Sequence, residues 1–236
     1  MAKIERATMR ELVFKTDVNP YATGSVEVSF GQTKVLCTAS VEESVPPFLR
    51  DKNVGWLTAE YYMLPMSTHT RSRRDKCLSS GRTHEIQRLI GRSLRAVVDL
   101  SALGPRTLMI DCDVLVADGG TRTASITGAF LAMALAVKKL KKEGRVKEEA
   151  KIILDYLAAV SVGLREDGGI LVDLNYQEDS SISTDMNIVM TKAKKIVEVQ
   201  AAAEKVPFTS QELQLALEAG EKALSGIFKK MEEILL

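Results

Sequence analysis

Histidine, tryptophan and cysteine are scarce in this chain, and the scarcity closes off whole classes of chemistry. Only His69 and His84 occur among 236 residues, so catalysis that leans on imidazole has little to draw on. Cys37, Cys77 and Cys112 are odd in number and widely spaced, with no C-x-x-C and no histidine beside them. That excludes a zinc site and a disulfide framework and reads as free thiols in a reducing compartment. An excess of one charge is missing too: 32 Lys and Arg against 31 Asp and Glu leave a formal net charge of +1. Without a global field to attract nucleic acid, any basic surface must be local. No run reaches ~18 apolar residues, and the start carries no charged-then-apolar leader. A cytoplasmic protein without membrane association is expected.

What is present suits one globular α/β domain over residues 1–236, since 45% hydrophobic and 27% charged residues are ordinary for a packed core. Alternating residues predict strands at 24–30 and 34–40 around a Gly31-Gln32 turn, and further strands at 54–64, 107–115, 157–165, 170–176, 185–191 and 195–200. Helical spacing of Ile86, Leu89, Ile90, Leu94, Val97 and Val98 predicts one long helix from Thr83. Ile126, Phe130, Met133, Val137 and Leu140 mark a second, and Pro207 with a Thr209-x-x-Glu212 capping box starts a third. Leu213, Leu217, Leu224, Ile227, Met231 and Ile234 form the inner stripe of that last helix. The expected architecture is two-layer, helices against a mixed sheet.

The stretch DGGTRTASITG, residues 118–128, sits immediately before the second helix. A helix start offers unpaired amides and about half a positive charge, and two glycines let backbone approach an anion closely. Thr121, Thr123 and Ser125 add hydroxyls, and Arg122 can grip two phosphate oxygens at once. There is no Gly-Lys-Ser/Thr ending, so inorganic phosphate fits better than a nucleotide triphosphate. Ser79-Ser80-Gly81-Arg82-Thr83 opens the first helix in a similar way, and two such starts could converge on one anion. A capped helix start with a solvated arginine also fits each stretch taken alone.

Carboxylates crowd DLNYQEDSSISTDMNIVM, residues 173–190. Asp185 and Asn187 share one face of a strand, and Asp179 lies across a short Ser-rich connection able to fold back. Mg²⁺ takes one or two carboxylates plus phosphate oxygens, which matches Asp179 with Asp185; Glu178 and Asp173 are weaker candidates. An acidic loop beside an edge strand fits this composition equally. The basic run 69–76, with Arg71, Arg73 and Arg74, suits contact with an RNA backbone, or is a solvated loop. Together these parts describe phosphoryl transfer by positioning and charge stabilisation, with phosphate as nucleophile.

GWLTAEYYMLP (55–65), SGRTHEIQRLIGRSLRAVVDL (80–100), IDCDVLVADGGTRTASITGAF (110–130) and TDMNIVMT (184–191) resemble the ribonuclease PH family, and the similarity runs from about Gly24 to the final helix. The resemblance implies a fold like ribosomal protein S5 domain 2 and a homo-oligomeric ring, a hexamer of three dimers. It implies a phosphate-dependent 3′→5′ exoribonuclease that trims tRNA precursor 3′ ends, releases nucleoside diphosphates and runs backwards as a nucleotidyltransferase. Carried over by residue, phosphate binding falls on Arg82, Gly120, Thr121, Arg122 and Ser125. Catalysis falls on Asp179, Asp185 and Arg122, with Mg²⁺ on Asp179 and Asp185, and tRNA contact on Arg71, Arg73 and Arg74. The chain departs from the family at its start, which lacks an Arg-x-Asp-Gly-Arg segment, at Tyr62 and Met66, and at Ala201-Ala202-Ala203-Glu204-Lys205. Two rivals stand beside this reading. One is a non-catalytic RNA-binding subunit of such a ring, expected to have lost these arginines or aspartates; the other is a nucleotide-binding kinase, which the missing lysine disfavours.

Overall fold

The computed structural model describes residues 3–75 and 80–236. Cys77 and Ser79, singled out above, lie outside the described residues, as does Lys76 of the basic run. Two short strands, β1 (Lys3–Arg6) and β2 (Leu12–Thr16), precede the hairpin of β3 (Gly24–Phe30) and β4 (Thr33–Glu42). Gly31, at φ 57°, supplies the left-handed backbone its tight turn requires. Strand β5 (Trp56–Met63), helix α1 (Gly81–Arg95), the short α2 (Leu100–Leu103) and β6 (Thr107–Val116) follow. Helix α3 (Thr121–Lys142) leads to β7 (Leu157–Leu164) and β8 (Gly169–Val172). The chain closes with α4 (Tyr176–Ser181), β9 (Thr184–Thr191), β10 (Ile196–Ala203) and α5 (Ser210–Leu235).

The strands form two five-stranded mixed sheets, ordered β2-β3-β4-β6-β5 and β1-β8-β7-β9-β10. Only β5 with β6 and β1 with β8 run parallel; the remaining pairs are antiparallel. Cys37 and Cys112 face each other across β4 and β6, both free and buried. Strand β8 stops short of the expected residue 176, because Asp173 adopts φ 56° and Asn175 then caps α4 in a capping box with Glu178. The Ser-rich connection is thus a helix. Strands β1 and β2 were not anticipated; both are sheet edges whose side chains are largely half-exposed, which blurs the alternation that reveals a strand.

Helix α3 joins the two halves. By length and apolar composition it could cross a membrane, but it is mostly buried inside the protein. It packs on β3 and β4 and reaches β7 of the second sheet, where Thr127 Oγ1 accepts the Ala159 amide at 3.0 Å. The approach is close enough to demand glycine. A Cβ on Gly24 would meet the Ala132 carbonyl oxygen at 2.2 Å, and one on Gly128 would meet Val28 Cγ1 at 2.6 Å and Cys37 Sγ at 2.7 Å. Gly128→Val should therefore cost about 3 kcal/mol through overpacking and lower the melting temperature by roughly 6–12 °C. Gly226→Val, on an exposed stretch of α5 with nothing within 4 Å of the added Cβ, is the control and should shift it far less in the same thermal melts.

Candidate active site

The loop ahead of α3 is held from several sides. Gly119 and Gly120 lie at φ 74° and 66°, a region costly for any residue with a side chain. A Cβ on Gly119 would lie 2.2 Å from the Leu174 carbonyl oxygen, so this loop touches the acidic segment backbone to backbone. Thr33 Oγ1 donates to the Gly119 carbonyl at 2.6 Å and accepts the Asp118 amide at 2.9 Å. Among the described residues no side chain caps the first turn of α3, so its opening amides could receive an anion. Helix α1 differs: Ser80 Oγ accepts the Thr83 amide at 3.0 Å, so its start offers the cavity the Arg82 side chain more than free amides.

A buried ion pair fixes this loop relative to the acidic segment. Asp173 is fully buried and accepts from Arg10 three times, from the amide at 2.9 Å, Nε at 3.0 Å and Nη2 at 2.8 Å. Arg10 Nη1 donates onward to the Asp118 carbonyl at 2.6 Å. Four residues earlier, Arg6 grips Glu178 at 2.6 and 2.8 Å and also donates to the Val172 and Asp173 carbonyls. The Arg6 guanidinium holds the Glu178 carboxyl below the usual carboxylate range. Asp173 and Glu178 are thereby committed to structure, which separates them from Asp179 and Asp185.

Those two aspartates share one cavity of about 510 Å³ with Arg82, Gly120, Thr121 and Arg122. Arg82 comes from α1, the next three from the start of α3, Asp179 from α4 and Asp185 from β9. Three supports complete the arrangement, two of which periodicity and motif matching overlook. Arg122 Nη1 donates to Gln200 Oε1 at 3.0 Å and lies 3.5 Å from Glu85 Oε1, so two half-exposed acceptors aim it. The buried Tyr61 hydroxyl donates to Thr121 Oγ1 at 3.0 Å. Asn187 Nδ2 donates to Asp185 Oδ2 at 3.3 Å. The contacts of Arg122 and Tyr61 are long-range in sequence, whereas Asn187 and Asp185 are the strand neighbours expected to share a face.

Burial dominates the electrostatics of the acidic pair. It raises the Asp179 carboxyl pKa against the pull of Arg82, and raises that of Asp185, with Asp179 adding repulsion and Arg122 opposing. Two half-desolvated carboxylates that repel one another form a site that a cation would relieve. Among the described residues no cluster of three or more His, Cys, Asp or Glu is arranged around a metal position. A pair of carboxylates suits a hard divalent ion that also takes phosphate oxygens and water.

Ser125 is a correction. It is fully buried one turn into α3, its hydroxyl donating to the Thr121 carbonyl at 2.8 Å, and it does not line the cavity. A hydroxyl at this depth in a helix satisfies itself on the carbonyl four residues back. Arg71 and Arg73 line a neighbouring cavity that Arg82 also borders, with Arg73 paired to Asp75 at 2.9 Å; Arg74 is exposed. Ala201-Ala202-Ala203 continues β10 opposite Met186, Asp185 and Thr184, so no turn forms there, and Glu204 follows at the cavity wall.

Arg10→Met leaves the Asp173 carboxylate buried without its partner and should cost about 3–5 kcal/mol in urea denaturation, with the double variant Arg10→Met, Asp173→Asn recovering part of that loss. A second expectation concerns pH. Asp185 binds its proton more tightly folded than unfolded, so its contribution to stability is full at low pH and is lost as pH rises through the raised folded value. In metal-free buffer, Asp185→Asn should therefore raise the melting temperature at neutral pH, and the gain should shrink as pH falls into the carboxylate range.

Comparison with known proteins agrees with this geometry. Residues 8–139 match the 3′ exoribonuclease family, domain 1, and residues 155–223 match domain 2 of the same family. Ribonuclease PH of Bacillus velezensis is 53% identical over 229 residues, covering 96% of this chain and 93% of the relative. That of Bdellovibrio bacteriovorus is 55% identical over 220 residues, covering 93% and 89%. Among solved structures, rice Rrp46 superposes with a TM-score of 0.79 at 15% identity over 98% of both chains. A chain of the Archaeoglobus fulgidus exosome with RNA bound to the active site gives 0.78 at 19% identity, covering 95% of this chain and 89% of that one. The two structures establish likeness of fold; the sequence matches span both sheets and every charged residue of the cavity, and on them the chain belongs to the ribonuclease PH family of 3′ exoribonucleases.

Proposed function

We propose that this cavity performs the chemistry of a phosphorolytic 3′→5′ exoribonuclease, acting on the 3′ ends of tRNA precursors. The observation that carries the proposal is that two arginines from separate helix starts and two aspartates from separate elements border one space. Inorganic phosphate would rest between Arg82 and Arg122 against the opening amides of α3. One of its oxygens then attacks the phosphorus linking the last nucleotide to the rest. A new P–O bond forms to phosphate, the bond to the penultimate 3′-oxygen breaks, and that oxygen leaves and is protonated. The products are a nucleoside diphosphate and an RNA one residue shorter, and the reverse direction extends the chain.

Asp179 and Asp185 would hold Mg²⁺, which supplies charge neutralisation at the phosphoryl oxygens when bound. Asn187 orients the Asp185 carboxylate, and Gln200 with Glu85 orients Arg122, so the guanidinium reaches the transition state without paying for reorientation. Arg71, Arg73 and Arg74 would follow the RNA backbone. The full set of cavity charges argues against a non-catalytic subunit. We place the protein in the cytoplasm, in keeping with its free buried thiols, and assembled as a hexamer of three dimers.

Digestion of an RNA with a 3′ extension, in Mg²⁺ and inorganic phosphate, should yield nucleoside diphosphates; monophosphates released without phosphate would overturn the mechanism. Arg122→Ala should raise the KM for phosphate steeply, whereas Asp185→Asn should lower kcat by orders of magnitude with phosphate binding largely kept. Light scattering should give the mass of a hexamer, and a monomer would remove the ring.

A further inference from the structure

Two further cavities share walls with the central one through different residues, and the two differ in charge. One, of about 490 Å³, is bordered by Arg71, Arg73 and Arg82. The other, also about 490 Å³, adjoins the central cavity through Thr68, Ala117 and Tyr176, and its wall includes Gln32, Met66, His69 and Gln177. Among the described residues no arginine or lysine lines this second space, and its one carboxylate, Asp118, accepts the Tyr176 amide at 3.1 Å and lies 3.5 Å from Arg10 Nη1. It is large enough for a nucleoside.

RNA on the two sides of a cleaved linkage differs in the same way. Upstream of the scissile phosphate, every nucleotide brings another negative charge. Downstream there is a single nucleoside whose only phosphate is the one under attack. A compartment for the upstream strand needs cations, and a compartment for the terminal nucleoside needs none.

Tyr176 lines both the central cavity and the compartment without cations, and 54% of it is exposed. Exposed aromatics are few in this chain, and this one is held in place by its backbone. It is the first residue of α4, directly after the Asn175 cap, with its amide fixed on Asp118. The His69 ring sits edge-on against it, centroids 5.9 Å apart at 62°. A ring with a fixed backbone and two torsions loses little entropy on receiving a flat partner. The amides of Gln32 and Gln177 present donors and acceptors to any base, which suits an enzyme that must remove whichever nucleotide comes next.

We infer that the compartment beyond Tyr176 receives the nucleobase of the 3′-terminal nucleotide, stacked on the Tyr176 ring, while the upstream strand lies along the arginine-bordered side. This assignment builds on the exonuclease reading above and adds to it the direction in which the strand crosses the cleft. It also makes Tyr176 the first contact of a nucleoside diphosphate entering in reverse.

The test uses the full chain and a single-stranded RNA carrying 2-aminopurine, either at the 3′-terminal position or four nucleotides upstream, with no phosphate added. Wild type should quench the terminal probe on binding, Tyr176→Phe should keep that quenching, and Tyr176→Ala should lose most of it. The upstream probe should respond alike in all three. In reverse synthesis, Tyr176→Ala should raise the KM for nucleoside diphosphate by about ten- to a hundred-fold, with the forward KM for phosphate little changed. Quenching that survives Tyr176→Ala, equal loss at both probe positions, or equal loss in Tyr176→Phe would each overturn the assignment. Because binding is read without turnover, a wild-type enzyme that released monophosphates would sink phosphorolysis and leave the fluorescence outcome to decide this inference separately.

Discussion

The contact between Arg10 and Asp173 organises the site more than any residue that faces substrate. A fully buried carboxylate with its backbone at φ 56° is expensive on two counts, desolvation and an uncommon conformation. Both costs are met by one arginine that also reaches the Asp118 carbonyl. The result is a three-way junction of the N-terminal segment, the glycine loop ahead of α3 and the turn that launches α4. Arg6 and Glu178 repeat the device one step further along. The arginines and the two aspartates of the cavity are placed relative to each other by charges that themselves do not line it.

Much of this was legible in the residues. Strand β3 alternates cleanly, α5 carries its capping box and apolar stripe in order, and the glycines of residues 118–122 mark a loop ahead of a helix before any fold is considered. That Asp179 and Asp185 could meet was readable from the short connection between them, although an acidic loop beside an edge strand fitted the composition equally. Other parts were hidden for physical reasons. Strands β1 and β2 are half-exposed edges with little alternation to betray them. Helix α4 is only six residues and polar throughout, so its existence depends on the Asn175 and Glu178 capping box rather than on any apolar stripe. Ser125 looked like a hydroxyl of the cradle because spacing shows proximity to a helix start and not which carbonyl a hydroxyl will choose. The partners of Arg10, Arg122 and Tyr61 lie from 37 to 163 residues away, beyond any local pattern.

The departures from the family pattern acquire a structural meaning. Where a family start would bring arginines around an Asp-Gly pair, this chain still delivers arginines, and they go to Asp173 and Glu178. Near residue 201, where the family pattern has glycines, β10 continues to Ala203, and the strand delivers Gln200 to Arg122. Met66 stands 64% exposed at the wall of the uncharged compartment, where a cation would have altered its character.

The backbone contact between Gly119 and the Leu174 carbonyl has a further consequence. It belongs to neither half alone: one side of it comes from the stretch matching the first family domain and the other from the stretch matching the second. The approach is direct, backbone against backbone, so the halves cannot drift apart without pulling arginines from aspartates. Turnover in this protein is therefore a gauge of how firmly its two sheets are docked, and it would fade with the first loosening of that joint, well before either sheet began to melt.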